Sequence, residues 1–495
     1  MNKASITILT VFIVFSSNLF VSANVINIDE IKADYNIKSQ WKQINKDGFG
    51  DKYNIATRGI EVFQDCLVLG TWNFKDLGFF DAPLNKILLE LLKSGKIPFG
   101  NELAKIFESN GCEIWGYNGE NIFPIVASNG TMPPGFGNIN NLECSVLRIF
   151  NNYLYAFIWN SKDGFEIWRT DNLNNKWESV VKGGLLDNPG VMVAESFKGD
   201  LYIGTMSFEK GTEIFRSSDG ENWEVVVGGD SKTPSGFGTK DNYYAHSMMV
   251  YNSYLYVGTN TGKGCEIWRT QDGVNWEPVI AYNKKKAEEL GLAYSKGFGK
   301  GKYIDGIRTM IVYNEELYCG STRPSHYRLI VKNRFSRNIF SIKLSRPRGA
   351  QIWKYNEESN IWVRVVGGFG IKSWCNGFGD SKNIQIWSIE IFNESLYVGT
   401  LHADSGEYIL RRNRLLGWDI MLGKLKGSAE LWSYDGTKWE QVVGDEAHQK
   451  DNVNPPNGFG DNYNWGFRTM KVYKNNLYVG TINFETGCEL WKYDN

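Results

Sequence analysis

Seven residues at one repeated position combine side chains that suit the binding of anions and sugars. Each lies five residues before an aromatic residue that ends a short apolar-alternating segment, and together they are Arg58, Ser145, Met192, His246, Arg308, Trp387 and Arg468. Arginine presents a planar fork of donors that fits a carboxylate, and a tryptophan ring can stack on a sugar. The sequence therefore predicts ligand binding by the three arginines, the histidine and the tryptophan. The alternative is a structural role, in which the arginines bond waters or loop carbonyls.

A second group of candidate anion ligands lies in a basic segment. Residues 323–348 contain eight Lys and Arg residues and no acidic residue, and residues 403–428 contain five basic and three acidic residues. The candidates taken from the first segment are Arg328, Lys332, Arg334 and Arg337. Such a run either lies solvated at the surface or binds an acidic glycan, a surface polymer or lipid headgroups.

The common nucleophilic and zinc signatures of catalysis are absent from the sequence. No His-Glu-x-x-His, nucleophile elbow, phosphate-binding glycine loop or Cys-x-x-Cys pair occurs. Three histidines, His326, His402 and His448, are candidate metal ligands beside His246. No cofactor is predicted, although a divalent metal stays open as an alternative. The chain also contains an internal repeat, described below, and a glutamate recurs in six of its copies. Catalysis would need such a carboxylate only once or twice, so this glutamate is predicted to be structural.

An internal repeat accounts for these spacings. The phrase Leu-Tyr-Val-Gly-Thr, or a looser variant of it, begins at Leu67, Leu154, Leu201, Leu255, Leu317, Leu396 and Leu477. Each copy follows the segment that ends in an aromatic residue and precedes a Glu/Gln-Ile/Leu-Trp/Phe segment. Short runs of β-branched and aromatic residues between Gly, Asn and Asp turns are typical of strands. Four antiparallel strands repeated seven times predict an all-β chain folded as one seven-bladed β-propeller.

The two ends of the chain support closure of that ring. The last repeat stops before its fourth strand. Near the N-terminus, the segment Trp41-Lys42-Gln43-Ile44 resembles the fourth strand of a blade, but no first, second or third strand precedes it. This N-terminal strand is therefore predicted to complete the seventh blade, which removes an open sheet edge. The order of the four strands also predicts that three long insertions, at about 76–110, 323–348 and 403–428, lie on the same face of the propeller as the seven aligned residues. Binding sites are usually built on long loops at one rim of a rigid scaffold.

Composition limits the class of protein. The net charge of −1 provides no overall field for nucleic acid. Residues 1–23 have the cation, apolar run and small residues of a cleavable secretory signal, so a secreted or surface location is expected, with residues 24–495 forming the propeller. No later segment approaches 18 consecutive apolar residues, so no transmembrane span is expected in the mature chain. The seven cysteines are predicted to form few or no disulfides, because three of them share one repeat position.

Two short motifs resemble those of known propeller families. Gln351-Ile352-Trp353-Lys354-Tyr355-Asn356, followed by Trp362, resembles a Kelch strand pair, and Ser217-Ser218-Asp219-Gly220-Glu221-Asn222-Trp223 resembles the Asp-box turn of sialidase-like propellers. The resemblance implies a propeller fold and says little about activity. Two hypotheses about function follow. The favoured one is a secreted binding propeller for an anionic glycan, surface polymer or protein partner. The alternative is a uronate-lyase-like or sialidase-like enzyme acting on acidic sugars at the channel mouth.

Overall fold

A computed structural model describes residues 40–75, 109–160, 162–323, 328–333, 339–343, 349–359, 361–368, 374–402, 408–412, 418–423, 428–451 and 454–494. The predicted signal segment at residues 1–23 lies outside the described residues, as does most of the insertion at 76–110. β-Strands are the main secondary structure of the described residues, and helices are few and short.

The strands form four-stranded antiparallel blades in chain order. Blade one contains β2 (Asn54–Phe63), β3 (Cys66–Asn73), β4 (Ile114–Tyr117) and β5 (Ile122–Val126). Blade two contains β6 (Glu143–Phe150), β7 (Tyr153–Trp159), β8 (Glu166–Thr170) and β9 (Glu178–Val181). Blade three contains β10 (Gly190–Phe197), β11 (Asp200–Met206), β12 (Ile214–Ser217) and β13 (Glu224–Val227).

The next three blades repeat this order. Blade four contains β14 (Asn242–Tyr251), β15 (Tyr254–Thr261), β16 (Ile267–Thr270) and β17 (Trp276–Ile280). Blade five contains β18 (Gly306–Tyr313), β19 (Glu316–Thr322), β22 (Ile352–Asn356) and β23 (Ile361–Val366). Blade six contains β24 (Asn383–Phe392), β25 (Ser395–His402), β28 (Leu431–Tyr434) and β29 (Trp439–Val443).

The seventh blade is completed by the N-terminal strand, as predicted. Blade seven contains β30 (Gly466–Tyr473), β31 (Asn476–Ile482), β32 (Leu490–Tyr493) and β1 (Trp41–Gln43). The first strands of neighbouring blades contact one another in cyclic order, and β30 contacts β2 across the junction of the two chain ends. The Thr57 and Thr469 hydroxyls lie 2.9 Å apart at that junction. The chain is therefore a closed β-propeller.

A repeated turn joins neighbouring blades at six of the seven junctions. In six places a glycine and the phenylalanine after it both have positive φ, as in Gly458 (φ 63°) and Phe459 (φ 57°). Left-handed backbone is costly for phenylalanine, and here its ring stacks on the tryptophan of the third strand, as Phe459 does on Trp491 at 4.2 Å between centroids. The neighbouring buried Glu489 accepts hydrogen bonds from Asn464 and Trp491. The turn and the recurring glutamate are thus structural.

Helical segments are short. They are α1 (Lys284–Glu289), α2 (Asp445–Asp451) and 3₁₀ turns at Asp47–Gly50, Pro134–Gly137, Ser235–Gly238, Gly301–Tyr303, Asn376–Gly379 and Asn457–Gly460. No helix in the described ranges is long and apolar enough to span a membrane.

Two of the insertions contain strands of their own, which the sequence analysis treated only as basic segments. The blade-five insertion supplies β20 (Arg328–Asn333) and β21 (Ile339–Lys343), and the blade-six insertion supplies β26 (Tyr408–Arg412) and β27 (Trp418–Gly423). The hairpins pair with each other through β20 and β27, which places Ile330 opposite Met421. The result is a separate four-stranded sheet shared by two adjacent blades.

Candidate functional site at the channel mouth

The seven aligned residues coincide with a bulge in the inner strand of every blade. The pairing between the first and second strands skips Ser145, Met192, His246, Arg308, Trp387 and Arg468, and in blade one it skips Arg58 together with Gly59. A bulged residue leaves the ladder and its side chain is re-aimed. Here the bulges let side chains from different blades meet around the channel axis.

The inner strands begin at the end of the blades from which the insertions leave. Phe74, Arg323 and His402 lie at the starts of the three insertions. The backbone N–H groups of these residues donate to the carbonyls of Tyr53, Ile384 and Trp465, each just before or at the start of an inner strand. The bulges therefore lie close to the insertion-bearing face. We call this end of the channel the mouth.

Arg58 differs from the expectation for the three arginines. Its Nε donates to Oε1 of Glu143, a buried carboxylate at the start of the neighbouring inner strand, and the two side chains are 12% and 4% exposed. The Arg58 guanidinium is therefore engaged by an acidic partner within the protein, unlike a group that is free to take a ligand. Glu143 could not be identified as its partner from the repeat, because the two residues occupy different positions in their blades.

Arg308 is hydrogen-bonded to His246, and the bond defines the state of the imidazole. Nη1 of Arg308 can only donate, so Nε2 of His246 accepts and the proton of a neutral ring lies on Nδ1. Nδ1 lies 3.2 Å from the Asn260 side-chain nitrogen, while Asn260 Oδ1 has no partner among the described atoms. Rotating the Asn260 amide by 180° satisfies both groups. Burial and the nearby arginines lower the pKa of His246 well below its ordinary value, which keeps the ring neutral.

Arg468 lies over the ring of Trp387 and has no carboxylate partner among the described residues. Its guanidinium carbon is 4.3 Å from the ring centroid, and that of Arg308 is 5.5 Å from the same centroid. The buried Nε of Arg468 makes no hydrogen bond to the described residues. Trp387 therefore holds two cations close together through cation–π contacts.

The electrostatics of the mouth favour an incoming anion. Burial and the other arginines lower the pKa of both Arg308 and Arg468 well below the ordinary value, and Glu143 opposes the shift. Since arginine keeps its proton in proteins, the lowered pKa reflects first the cost of burying these two charges and then the repulsion between neighbouring arginines. Three guanidinium groups face one carboxylate, which already bonds Arg58. A bound anion would relieve the repulsion.

Partly exposed aromatic side chains surround the same opening. Trp387 contacts Trp465 at 6.4 Å between ring centroids, and Trp465 contacts Phe484 at 5.1 Å. Phe484 and Phe74 each contact Trp72, which in turn contacts Trp159 at 6.2 Å. Sequence reasoning missed this set. A signal existed, because Trp72 and Trp159 hold the same position just after the repeated phrase in blades one and two.

A second layer of charge lies three residues further along the inner strands, about 10 Å from the bulges at the usual rise of a strand. It contains Glu61, Arg148, Glu195, Glu390 and Lys471. Arg148 pairs with Glu195, and Lys471 pairs with Glu61 at 2.8 Å. Burial raises the pKa of Glu195 and of Glu390. These residues were also missed by sequence reasoning, and their pairing makes this layer nearly neutral.

The candidate metal ligands do not come together in the part of the chain that the structure describes. Nε2 of His402 lies 3.0 Å from Asp380 Oδ2, and its Nδ1 accepts from the Ser428 backbone N–H at 3.3 Å, so both ring nitrogens are engaged. His448 lies in α2 with its side chain outside the described atoms, and His326 lies outside the described residues. No group of three His, Cys, Asp or Glu residues within the described ranges is arranged to hold a metal.

The remaining predicted residues belong to the blade-five insertion. Arg328 and Lys332 lie on β20, and their side chains are outside the described atoms. Arg334 and Arg337 lie outside the described residues. Their part in binding stays a prediction. All seven cysteines are free thiols, and the three that share a repeat position, Cys112, Cys265 and Cys488, are fully buried as apolar filler.

Comparisons with known proteins give only distant similarities. No family model matches the chain, and no curated protein matches it in sequence. Among solved structures, it is similar to YCF48 bound to D1 peptide, at 10% identity and TM-score 0.43, over 92% of this chain and 96% of that one. It is also similar to Saccharomyces cerevisiae Sqt1, at 9% identity and TM-score 0.42, over 90% of this chain and 99% of that one. The β-propeller domain of the trilobed protease from Pyrococcus furiosus has 9% identity and TM-score 0.39, over 89% and 96%.

Proposed function

We propose that this chain is a binding propeller that takes the carboxylate of an acidic ligand at the channel mouth. The proposal rests on one observation: Arg308 and Arg468 are held beside each other on Trp387, with no carboxylate partner among the described residues. Arginine binds carboxylates with two parallel hydrogen bonds. Both arginines lie on the inner strands of a closed propeller and are already oriented by the tryptophan, so their side chains lose little conformational freedom when a ligand binds.

Binding is favoured over catalysis because the carboxylate of Glu143 and the imidazole of His246, both near the arginines, are engaged. Glu143 accepts from Arg58, and Nε2 of His246 accepts from Arg308. Hydrolysis of glycosides ordinarily needs two carboxyl groups across the scissile bond. At the mouth, Glu143 is the carboxylate described beside the arginines, and it is buried. The glycan-active enzyme thus has less support than the binding protein.

The wider setting of the proposal follows from the sequence. The basic insertion residues Arg328, Lys332, Arg334 and Arg337 would attract an acidic ligand toward the mouth, because long-range charge mainly raises association rates. The secretory signal predicted at residues 1–23 would place the protein outside the cell, where acidic glycans and surface polymers are available as ligands.

Arginine substitutions test the proposal. Wild type, Arg308→Ala and Arg468→Ala would be titrated at two salt concentrations with oligosaccharides carrying galacturonate, glucuronate or sialate. Losing a hydrogen bond to a charged group costs about 1.5–3 kcal/mol, so each substitution should weaken binding roughly tenfold or more. Higher salt should weaken the wild type as well.

The matched control is Arg364→Ala. Arg364 is exposed on β23, outside the channel, and its guanidinium carbon lies 5.8 Å from the Trp353 ring centroid. This variant loses the same charge from a similar cation–π contact, so it should bind like the wild type. Affinity for acidic sugars that survives both channel substitutions would contradict the proposal.

A further inference from the structure

The aromatic residues around the mouth form a continuous surface, which we call the aromatic collar: Trp159, Trp72, Phe74, Phe484 and Trp465. Neighbouring ring centroids are 5.1 to 6.2 Å apart, and the collar spans blades two, one and seven. Its last member, Trp465, contacts Trp387, the residue that carries Arg308 and Arg468. The collar therefore leads to the arginine site.

The collar is accessible from solvent. Phe484 is 40% exposed, and the other four side chains are partly exposed. By contrast, Trp168, Trp353 and Trp432 of the third strands are buried, and each stacks on the phenylalanine of a Gly-Phe-Gly turn. Several large aromatic rings left partly open together on one rim mark an interaction surface.

Hydrogen bonding at the collar disfavours an extended peptide as the occupant. The backbone N–H groups of Asn73, Phe74 and Asn483 already donate to carbonyls of Leu142, Tyr53 and Ile55. The carbonyls of Trp159 and Trp465 accept from the N–H groups of Leu142 and His402. A peptide that adds as a strand needs free backbone groups, and here they are occupied.

A sugar chain suits the same surface. The faces of a sugar ring carry C–H groups, which pack against an aromatic face, and its hydroxyls keep their bonds to water at a partly open site. Several rings in succession match a polymer of rings, as aromatic platforms do for successive bases of a nucleic acid strand. The charge of the mouth then selects a chain with an acidic unit.

We propose that the aromatic collar is the stacking path for an acidic oligosaccharide whose carboxylate lies between Arg308 and Arg468. This inference rests on the proposed function and adds the ligand class and the direction in which the chain extends, across blades seven, one and two. It predicts that affinity grows with the number of sugar units. The arginines recognise the acidic unit, and the collar adds affinity for the following units.

Affinity against chain length tests the collar. The probes are galacturonate, glucuronate and sialate, each alone and as the acidic end unit of tri- and pentasaccharides. For the wild type we expect affinity to rise roughly tenfold or more from monosaccharide to pentasaccharide. A gain of this size corresponds to one or two aromatic stacking contacts. Phe484→Ala should remove most of this gain and leave monosaccharide affinity unchanged. Phe484→Tyr should keep the gain, because an aromatic ring is retained.

The controls separate this inference from the proposed function. Tyr282→Ala removes an aromatic side chain that is 45% exposed, outside the collar and the channel, and should change nothing. If Arg468→Ala weakens every probe but Phe484→Ala keeps the full chain-length gain, the collar proposal is wrong and the arginine site stands. If no acidic sugar binds the wild type, both are wrong. Tighter binding of acidic peptides than of any sugar probe would also overturn the collar as a sugar path.

Discussion

Arg58 and Arg468 occupy the same position in adjacent blades, and their surroundings give them opposite roles. Arg58 forms a buried ion pair with Glu143, whereas Arg468 lies among other cations with Trp387 beneath it. Burial and the neighbouring charge of Arg58 lower the pKa of Arg468, so its charge is held at a cost to folding. The structure therefore gives Arg58 a positioning role toward Glu143, and it leaves Arg468 without a carboxylate partner among the described residues, as the proposed ligand site requires.

This difference predicts contrasting effects on stability. Arg58→Ala leaves Glu143 buried without its cation, and breaking a buried pair in this way typically costs about 3–5 kcal/mol. Arg468→Ala removes a repelling charge and should leave the free energy of unfolding unchanged or slightly higher. Denaturant unfolding of the two variants at one pH measures the contrast. Equal destabilisation by both substitutions would show that Arg468 is structural.

At the scale of the strand, the N-terminal segment connects the two ends of the chain. Trp41 is fully buried in blade seven, where its ring lies 5.1 Å from that of Phe459 and 5.0 Å from that of Tyr493. Its strand pairs with β32 through Trp41↔Tyr493, Lys42↔Lys492 and Gln43↔Trp491. Without β1, the edge of β32 would be open for pairing with other chains.

Trp41→Ala tests closure without deleting the strand. Truncating a buried tryptophan costs about 3–5 kcal/mol, so this variant should unfold at clearly lower denaturant. Lys42→Ala is the control, since the Lys42 side chain is 53% exposed and lies on the same strand. Deleting residues 24–50 removes the strand altogether and should cause aggregation, because the edge of β32 is then open for pairing with other chains. A deletion that stays soluble and unfolds cooperatively would contradict closure by this strand.

The elements differ in how far the sequence predicts them, for physical reasons. Blades repeat the same strand phrase, so their number and order follow from its spacing, and closure follows from the fourth strand found at the N-terminus. Spacing also aligns the seven channel residues, but it does not show that they lie in bulges. The ion pair of Arg58 with Glu143 does not, because it joins different repeat positions in two blades. The insertion strands β20, β21, β26 and β27 were missed because they occur once each, and their pairing depends on contact between two blades rather than on a local pattern.

At the scale of the whole molecule, an almost neutral chain concentrates positive charge at one end of its channel. The net charge is −1, yet the mouth has three guanidinium groups against Glu143, while the next layer pairs Arg148 with Glu195 and Lys471 with Glu61. The closed ring fixes the distances among these groups, because each lies on an inner strand packed between two others. The proposed anion site is therefore a property of the assembled ring, which brings together residues from blades five, six and seven.

The most direct test of anion recognition is the coupling between Arg468 and the carboxylate of the ligand. Wild type and Arg468→Ala would each be titrated by calorimetry with the tightest acidic oligosaccharide of the panel and with its neutral methyl ester. Arg468→Ala should weaken the acid roughly tenfold or more and leave the ester nearly unchanged, which gives a coupling free energy of about 1.4 kcal/mol or more. Equal losses for acid and ester, and therefore no coupling, would contradict recognition of an anion by Arg468 at the channel mouth.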